Sequence, residues 1–145
     1  MSQEKDCIFC KIVNGDIPSS KVYEDEAVYA FLDISQVTKG HTLIVPKKHT
    51  QNIYETDEET AGELFKRVPK IATALKKALN PVGINLLNNN EEAAGQSVFH
   101  LHLHLIPRYD STDGFNPNWE THADNYTPEK LTEIAENVSK NIESN

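Results

Sequence analysis

Several short stretches of the chain alternate apolar and polar or β-branched positions, which is the pattern of β-strands. Five segments have this pattern: residues 21–24, 27–32, 41–45, 83–87 and 97–106. An acidic turn separates the first two, and Pro46 closes the third because its ring cannot extend a central strand. The segment 88–96 between the last two is expected to form a loop.

Between residues 57 and 79 the spacing of apolar residues becomes helical. One stripe is formed by Leu64, Phe65, Val68, Ile71, Ala72, Leu75 and Leu79. Pro69 is expected to kink this helix or break it near Val68, and Asn80-Pro81 is expected to end it. Thr127 and Pro128 predict the start of a C-terminal helix. Strands on both sides of one long helix predict an α+β fold with an antiparallel sheet of about five strands.

Length and charge limit the possible classes of protein. The chain has 145 residues, the size of one domain, with 38% hydrophobic and 25% charged residues. Its 14 basic and 22 acidic residues give a net charge of −8, which argues against nonspecific binding to nucleic acid. The sequence has neither a secretory signal nor an apolar run long enough to span a membrane. We therefore expect a cytoplasmic protein that contacts neither nucleic acid nor membranes.

Three histidines alternate with apolar residues in the last predicted strand. Side chains alternate between the two faces of a strand, so Phe99, Leu101, Leu103 and Leu105 are expected to face a core. His100, His102 and His104 then share the opposite face. Clustered imidazoles lose stability if more than one is charged, so at least some are expected to be neutral. A neutral imidazole serves equally as a nucleophile or as a metal ligand.

The loop before the histidine strand contains candidate groups for binding an anion. It holds Asn88-Asn89-Asn90 and then Gly95-Gln96-Ser97. Glycine permits close approach of the backbone, and consecutive free amides form a concavity that binds anions. The position of this loop beside the imidazoles predicts a binding site for a phosphate.

Cys7 and Cys10 have the spacing of a metal-binding or redox pair. His49 and His100 are available to complete a closed, structural Cys2His2 zinc site, which would leave His102 and His104 for chemistry. A thioredoxin-like redox pair is expected to follow a strand in a βαβ unit, whereas this pair precedes every predicted element. The sequence favours zinc, and the redox pair and an uninvolved pair remain alternatives.

The triad His100-Leu101-His102-Leu103-His104-Leu105-Ile106 matches the motif His-φ-His-φ-His-φ-φ, where φ is apolar. This motif is the hallmark of the histidine triad (HIT) superfamily of nucleotide hydrolases and transferases, which the chain resembles. The resemblance extends to residues 31–35, 41–49 and 95–97 and is greatest to small bacterial proteins with a CxxC pair in the Hint branch. It implies a single HIT domain over residues 1–145, with a core at about 7–108 and an extension at 109–145.

The resemblance implies a role for each matching residue. His102 corresponds to the nucleophile, which attacks the α-phosphorus of a nucleoside 5′-phosphate derivative and forms a nucleotidyl-histidine that water hydrolyses. His104 lies on the side of the phosphate and leaving group, and His41 supports the nucleophile. The nucleotide-binding residues implied are Asp33 at the ribose hydroxyls, Ile34 at the base, and Asn89, Gln96, Ser97 and His104 at the phosphate and leaving group.

The resemblance also implies a cofactor, a substrate class and an assembly. Zinc-bearing relatives use ligands that align with Cys7, Cys10, His49 and His100, so the zinc is structural, and no organic cofactor is implied. The substrate implied is a nucleoside 5′-phosphoramidate or a related purine nucleotide conjugate, and the protein is expected to be a homodimer. His122 is the one histidine without an implied role.

Other functions remain open at this point. Diadenosine polyphosphate hydrolysis and nucleotidyl transfer are activities of the same superfamily. A zinc hydrolase with His100, His102 and His104 around an open metal position is a second class of enzyme. A weakly catalytic protein that binds nucleotides or a partner would use the same binding site for a phosphate.

Overall fold

Five strands form one sheet in the computed structural model, which describes residues 4–142. The strands are β1 (Lys21–Glu24), β2 (Val28–Leu32), β3 (Thr42–Pro46), β4 (Gly83–Leu87) and β5 (Leu103–Arg108). The helices are α1 (Ile8–Val13), α2 (Glu58–Leu79) and α3 (Pro128–Lys140). The strand order is β1-β2-β3-β5-β4, and every neighbouring pair is antiparallel. The predicted α+β fold with a five-stranded antiparallel sheet is confirmed.

The chain divides into two compact units, one that ends at Phe115 and one that begins at Asn116. The first contains the sheet with α1 and α2, and the second contains α3. Thr127 caps α3 and Pro128 occupies its first turn, as predicted. Within residues 4–142 no helix combines the length and apolar character that crossing a membrane requires. The predicted extent of the HIT domain, with its core at 7–108, stays a prediction.

Helices α1 and α2 pack against opposite faces of the sheet. Side chains of β2 and β3 divide by alternation into two buried clusters. The cluster with α2 contains Val28, Ala30, Ile44, Leu64, Ile71, Leu75, Leu103 and Leu105. The cluster with α1 contains Phe9, Ile12, Tyr29, Phe31, Leu43 and Val45. Because Leu103 and Leu105 face α2, the alternation of β5 places His104 on the face that carries α1.

The strand predicted at residues 97–106 begins only at Leu103 and ends at Arg108. Residues before Leu103 direct their hydrogen bonds outside the sheet, and the amide of Leu101 donates to the carbonyl of Thr50 at 2.7 Å. The segment therefore does not keep the period of a strand over its first half. Leu101 is buried as predicted, but Phe99 is 44% exposed, so its prediction as a core residue is wrong.

Helix α2 continues through Pro69, so the predicted break near Val68 is wrong. A proline at this position leaves the carbonyl of Phe65 without its helical partner. Phe65 and Pro69 are both exposed, so water is available to that carbonyl. Phe65 is 44% exposed because it lies about 100° around the helix from the buried Leu64, and its assignment to the core stripe is also wrong. The helix ends at Leu79 as predicted, and the following Asn80 has a left-handed φ of 53°.

Candidate active site and metal centre

Both cysteines lie at the start of α1, a helix that the sequence pattern did not predict. Cys7 is the N-cap of α1, and its sulfur accepts a hydrogen bond from the amide of Cys10. Cys7 Sγ lies 3.4 Å from His100 Nδ1, and Cys10 Sγ lies 3.4 Å from His49 Nδ1. The four donor atoms all lie within 4.8 Å of one another. The fold therefore brings together the four residues predicted as metal ligands.

The donor set fits a tetrahedral zinc ion. Zinc–sulfur and zinc–nitrogen bonds of usual length place sulfur and nitrogen ligands about 3.6 Å apart, close to the separations found here. His100 Nε2 donates to the carbonyl of Pro46 at 2.8 Å, so its Nδ1 directs a lone pair at the thiols. Burial raises the pKa of the Cys10 thiol to about 11. A bound cation would supply the charge that a buried thiolate needs.

The cysteine pair lacks the surroundings of a thioredoxin-like redox pair. Cys7 and Cys10 are both free thiols. They stand at the start of a helix, but α1 is the first element of the described chain and no strand precedes it. The βαβ frame that the redox alternative requires is therefore missing from residues 4–142.

His102 is held by its ring, its backbone and its packing. Its Nδ1 donates to the carbonyl of His100 at 2.7 Å, and its own carbonyl accepts from Asn88 Nδ2 at 2.9 Å. The ring of Phe9 meets the imidazole edge-on, with centroids 5.0 Å apart. Burial lowers the pKa of His102, which favours the neutral ring. A neutral ring with its proton on Nδ1 leaves the lone pair of Nε2 free to attack an electrophile.

His41 and His104 form a pair of neutral imidazoles beside Asp33. The amide of Val37 donates to His41 Nδ1 at 3.3 Å, so His41 carries its proton on Nε2. That atom lies 2.9 Å from His104 Nδ1 and 3.8 Å from a carboxylate oxygen of Asp33. His104 therefore accepts through Nδ1 and keeps its own proton on Nε2 as a donor. Burial lowers the pKa of His41, and it lowers that of His104 to about 4.

His102 and His104 line a pocket of about 370 Å³. Its apolar wall comes from α1, the neighbouring sheet and the segment before β5, and it includes Ile8, Phe9, Ile12, Phe31, Leu43 and Val98. Asp33 and Ser97 add polar groups to the lining. Ile34 also borders the pocket and is 99% exposed, so it lies open at the rim. An apolar slot with a few convergent polar groups is typical of a site for a small molecule.

The predicted phosphate-binding residues occupy different surroundings. Ser97 lines the pocket, whereas Asn89 and Gln96 do not belong to its lining. Gln96 is 3% exposed, and its side chain bonds to backbone groups of residues 51, 91 and 98. Gly95 has a φ of 97°, a conformation that favours glycine, next to the side chain of Asn89. The amides of Gly95 and Gln96 donate to the carbonyls of Glu92 and Glu91, so the predicted run of consecutive free amides is wrong. Gln96 thus shapes the loop, and Ser97 is the member that faces the pocket.

The three histidines of the triad contact different groups in the structure. His100 joins the thiols, His104 joins His41 and Asp33, and His102 belongs to neither group of candidate metal ligands within residues 4–142. This geometry does not assemble the open zinc site that the alternative hydrolase requires.

Two contributors to the site were missing from the sequence interpretation. The first is the wall formed by Ile8, Phe9 and Ile12. Phe9 and Ile12 follow Ile8 by one and four residues, and this helical spacing of apolar residues was the available signal. Six residues are too few for that signal to stand out. The second is the role of Asn88, which the sequence placed in the candidate phosphate loop. Its side chain instead donates to a backbone carbonyl 14 residues away, a contact that leaves no mark in the pattern.

Comparisons with known proteins place the chain among relatives over most of its length. The HIT domain model matches residues 14–111. A crystal structure of a member of the HIT family from Bacillus subtilis is 59% identical, with a TM-score of 0.94, over 97% of this chain and 100% of the other. A Schizosaccharomyces pombe protein named adenosine 5′-monophosphoramidase is 38% identical over 136 residues, 94% of this chain and 98% of the relative. A crystal structure of a zinc-bound histidine triad family protein from Mycobacterium smegmatis is 39% identical, with a TM-score of 0.71, over 78% and 84% of the two chains.

Proposed function

The chain belongs to the HIT family, and on that premise we propose that it hydrolyses nucleoside 5′-phosphoramidates or related purine nucleotide conjugates. The observation that carries the proposal is the hydrogen bond from His102 Nδ1 to the His100 carbonyl, in a histidine that lines the pocket. It leaves the Nε2 lone pair for the reaction. The similarity to a protein named adenosine 5′-monophosphoramidase supports the substrate class.

In the proposed reaction His102 Nε2 attacks the α-phosphorus of the bound nucleotide. A phosphorus–nitrogen bond forms at His102 while the bond from phosphorus to the leaving group breaks, and the leaving group departs with its electron pair and takes up a proton from solvent. Water then attacks the nucleotidyl-histidine and gives up a proton to solvent, which releases the nucleoside monophosphate and restores the imidazole. The covalent intermediate divides one difficult displacement into two easier ones.

The remaining polar groups position the substrate and bind its charge. His104, held by His41, donates through Nε2 toward the phosphate oxygens, where phosphoryl transfer requires donors. Asp33 accepts from the ribose hydroxyls, with Ile34 at the base. In the loop of Asn89, Gln96 and Ser97, the side chain of Ser97 binds the phosphate. Asn89 and Gln96 shape the loop around it.

Trapping the intermediate tests this function. A purine nucleoside phosphoramidate is mixed with the protein, quenched in base to preserve the phosphorus–nitrogen bond, and analysed by peptide mass spectrometry. A nucleotidyl group on His102 is expected in the wild type and in His122→Ala, and it should be missing from His102→Ala together with nearly all turnover. Wild-type turnover in folded His102→Ala would contradict the covalent role, and binding without turnover would indicate a nucleotide-binding protein.

Zinc held by Cys7, Cys10, His49 and His100 is part of the proposal as a structural cofactor. When bound, it would link α1 to the residues that follow β3 and precede β5, and it would take no part in the reaction. The metal content per chain is measured for the wild type, Cys10→Ser and the control His122→Ala. One zinc per chain is expected in the wild type and the control and a loss in Cys10→Ser, whereas equal contents in all three would contradict this ligand set.

The assembly and location are the remaining parts of the proposal. We expect a homodimer located in the cytoplasm, in line with the resemblance to the Hint branch. Sedimentation at several protein concentrations measures the assembly directly.

A further inference from the structure

Helix α1 presents two functional faces. Cys7 and Cys10 face His49 and His100 in the metal centre. Ile8, Phe9 and Ile12 of the same helix line the pocket that contains His102 and His104. Six residues thus connect the candidate metal centre to the apolar wall of the nucleotide pocket.

The helix is too short to hold this position through its own stability. Isolated helices shorter than about 12 residues are marginal in water, so packing and tethers must fix a helix of six residues. Phe9 provides packing, because its ring lies 5.5 Å from that of Phe31 and 5.0 Å from that of His102. The thiols provide the tether, since His49 and His100 approach them from sequence positions 39 and 93 residues away.

The other side of the pocket does not depend on α1. Asp33 follows β2, and its amide donates to the carbonyl of His41 at 3.0 Å. His104 lies in β5 and is paired with Leu43 of β3. Ser97 belongs to the loop that the buried Gln96 braces. These polar groups suit a ribose and a phosphate, whereas the wall from α1 is apolar and suits the face of a base.

We propose that Cys7 and Cys10 are positioning residues for recognition of the base. A metal ion shared with His49 and His100 holds α1 so that Ile8, Phe9 and Ile12 close the apolar wall of the pocket, and loss of the metal releases that wall. The affinity for the base therefore depends on the metal, and the affinity for the ribose phosphate does not. This inference rests on the proposed function, because it requires the pocket to bind a nucleotide.

Two ligands that differ only by the base test the inference. Adenosine 5′-monophosphate and ribose 5-phosphate are titrated by NMR into the zinc-loaded protein, the metal-free protein and the variant Cys7→Ser/Cys10→Ser. The metal-free protein and the variant are expected to bind adenosine 5′-monophosphate about tenfold or more weakly, as the loss of apolar burial at the base predicts. Their dissociation constants for ribose 5-phosphate are expected to stay within about twofold.

Two controls identify the cause of a change. Returning zinc should restore the affinity of the metal-free wild type but not that of the double variant. Asp33→Asn in the zinc-loaded protein should weaken both ligands, because it alters the ribose contact. The NMR spectrum of each form also reports whether the sheet remains folded.

The outcomes distinguish a failure of this inference from a failure of the proposed function. Equal affinity for adenosine 5′-monophosphate with and without metal would overturn the inference and leave the proposed function intact. A parallel loss of both ligands would also overturn it, since the metal would then support the fold as a whole. If neither ligand binds to any form, the proposed function fails and the inference fails with it.

Discussion

His102 Nδ1 lies 2.7 Å from the carbonyl oxygen of His100, so the backbone of one triad histidine orients the ring of the next. A carbonyl only accepts hydrogen bonds, so the proton of a neutral His102 ring must be on Nδ1. The same His100 donates from Nε2 to Pro46. Two histidines separated by one residue are therefore held in opposite tautomers.

The first prediction concerns these tautomers. Long-range proton–nitrogen NMR spectra at pH 7 are expected to show His102 protonated on Nδ1, with His41 and His100 protonated on Nε2. The physical reason is that each protonated nitrogen has an acceptor in the structure. The spectrum of His102→Ala assigns the signals, and a His102 ring protonated on Nε2 would contradict the proposed nucleophile.

The second prediction concerns Asn88, which donates to the His102 carbonyl at 2.9 Å. Asn88→Ala is expected to lower kcat by about 3- to 10-fold, the effect of one hydrogen bond that orients a reacting group, with little change in KM. Steady-state kinetics with a nucleoside phosphoramidate measures both constants. The control is Asn118→Ala at an exposed position, which should retain wild-type kinetics. An unchanged kcat in Asn88→Ala would show that this bond does not position the nucleophile.

The third prediction concerns the pH dependence of stability through His104, which faces His41, His102 and Asp33. Burial lowers its pKa to about 4, so below pH 6.5 the unfolded chain takes up this proton before the folded one. Stability is therefore lost as the pH falls from about 6.5 towards 4. In His104→Gln this loss should be smaller by on the order of 1–3 kcal/mol, because glutamine does not titrate.

Urea unfolding at several pH values measures this effect. The wild type and His104→Gln are compared at the same metal content, so that the metal ligands contribute equally to both curves. Parallel curves between pH 6.5 and 4 would mean that His104 has no lowered pKa in the folded protein.

The fourth prediction concerns Asp25 in the acidic turn between β1 and β2. Burial raises its pKa, but hydrogen bonds from Tyr23 and Arg67 and from two backbone amides outweigh this and hold the pKa well below its usual range. Asp25→Asn is expected to lower the free energy of unfolding by about 2–3 kcal/mol, because it leaves the buried Arg67 short of its partner.

Glu26 supplies the matched control, because it also contacts Arg67 but its side chain is 83% exposed. Glu26→Gln should change the free energy of unfolding by no more than about 0.5 kcal/mol. Urea unfolding at pH 7 compares the two variants. Equal effects of the two substitutions would show that burial does not distinguish these two carboxylates.

Local sequence patterns predicted most of the elements. The apolar spacing and the ends of α2, the Thr127 cap of α3 and the short strands of the sheet were all recognisable, because each depends on neighbouring residues. The patterns gave wrong predictions where solvent exposure or contacts with distant residues determine the local structure. Pro69 is tolerated because its side of α2 is exposed, and the strand at residues 97–106 starts late because Leu101 bonds to Thr50.

The candidate site shows the same division. The sequence by itself determined which residue types are available: two thiols, three alternating histidines and a polar loop. Only the tertiary structure decided that His100 faces the thiols while His104 faces His41, and that α1 forms a wall beside His102. The physical reason is that residue spacing sets which side chains share a face. Tautomers, burial and ligand distances depend on what packing brings against that face from remote parts of the chain.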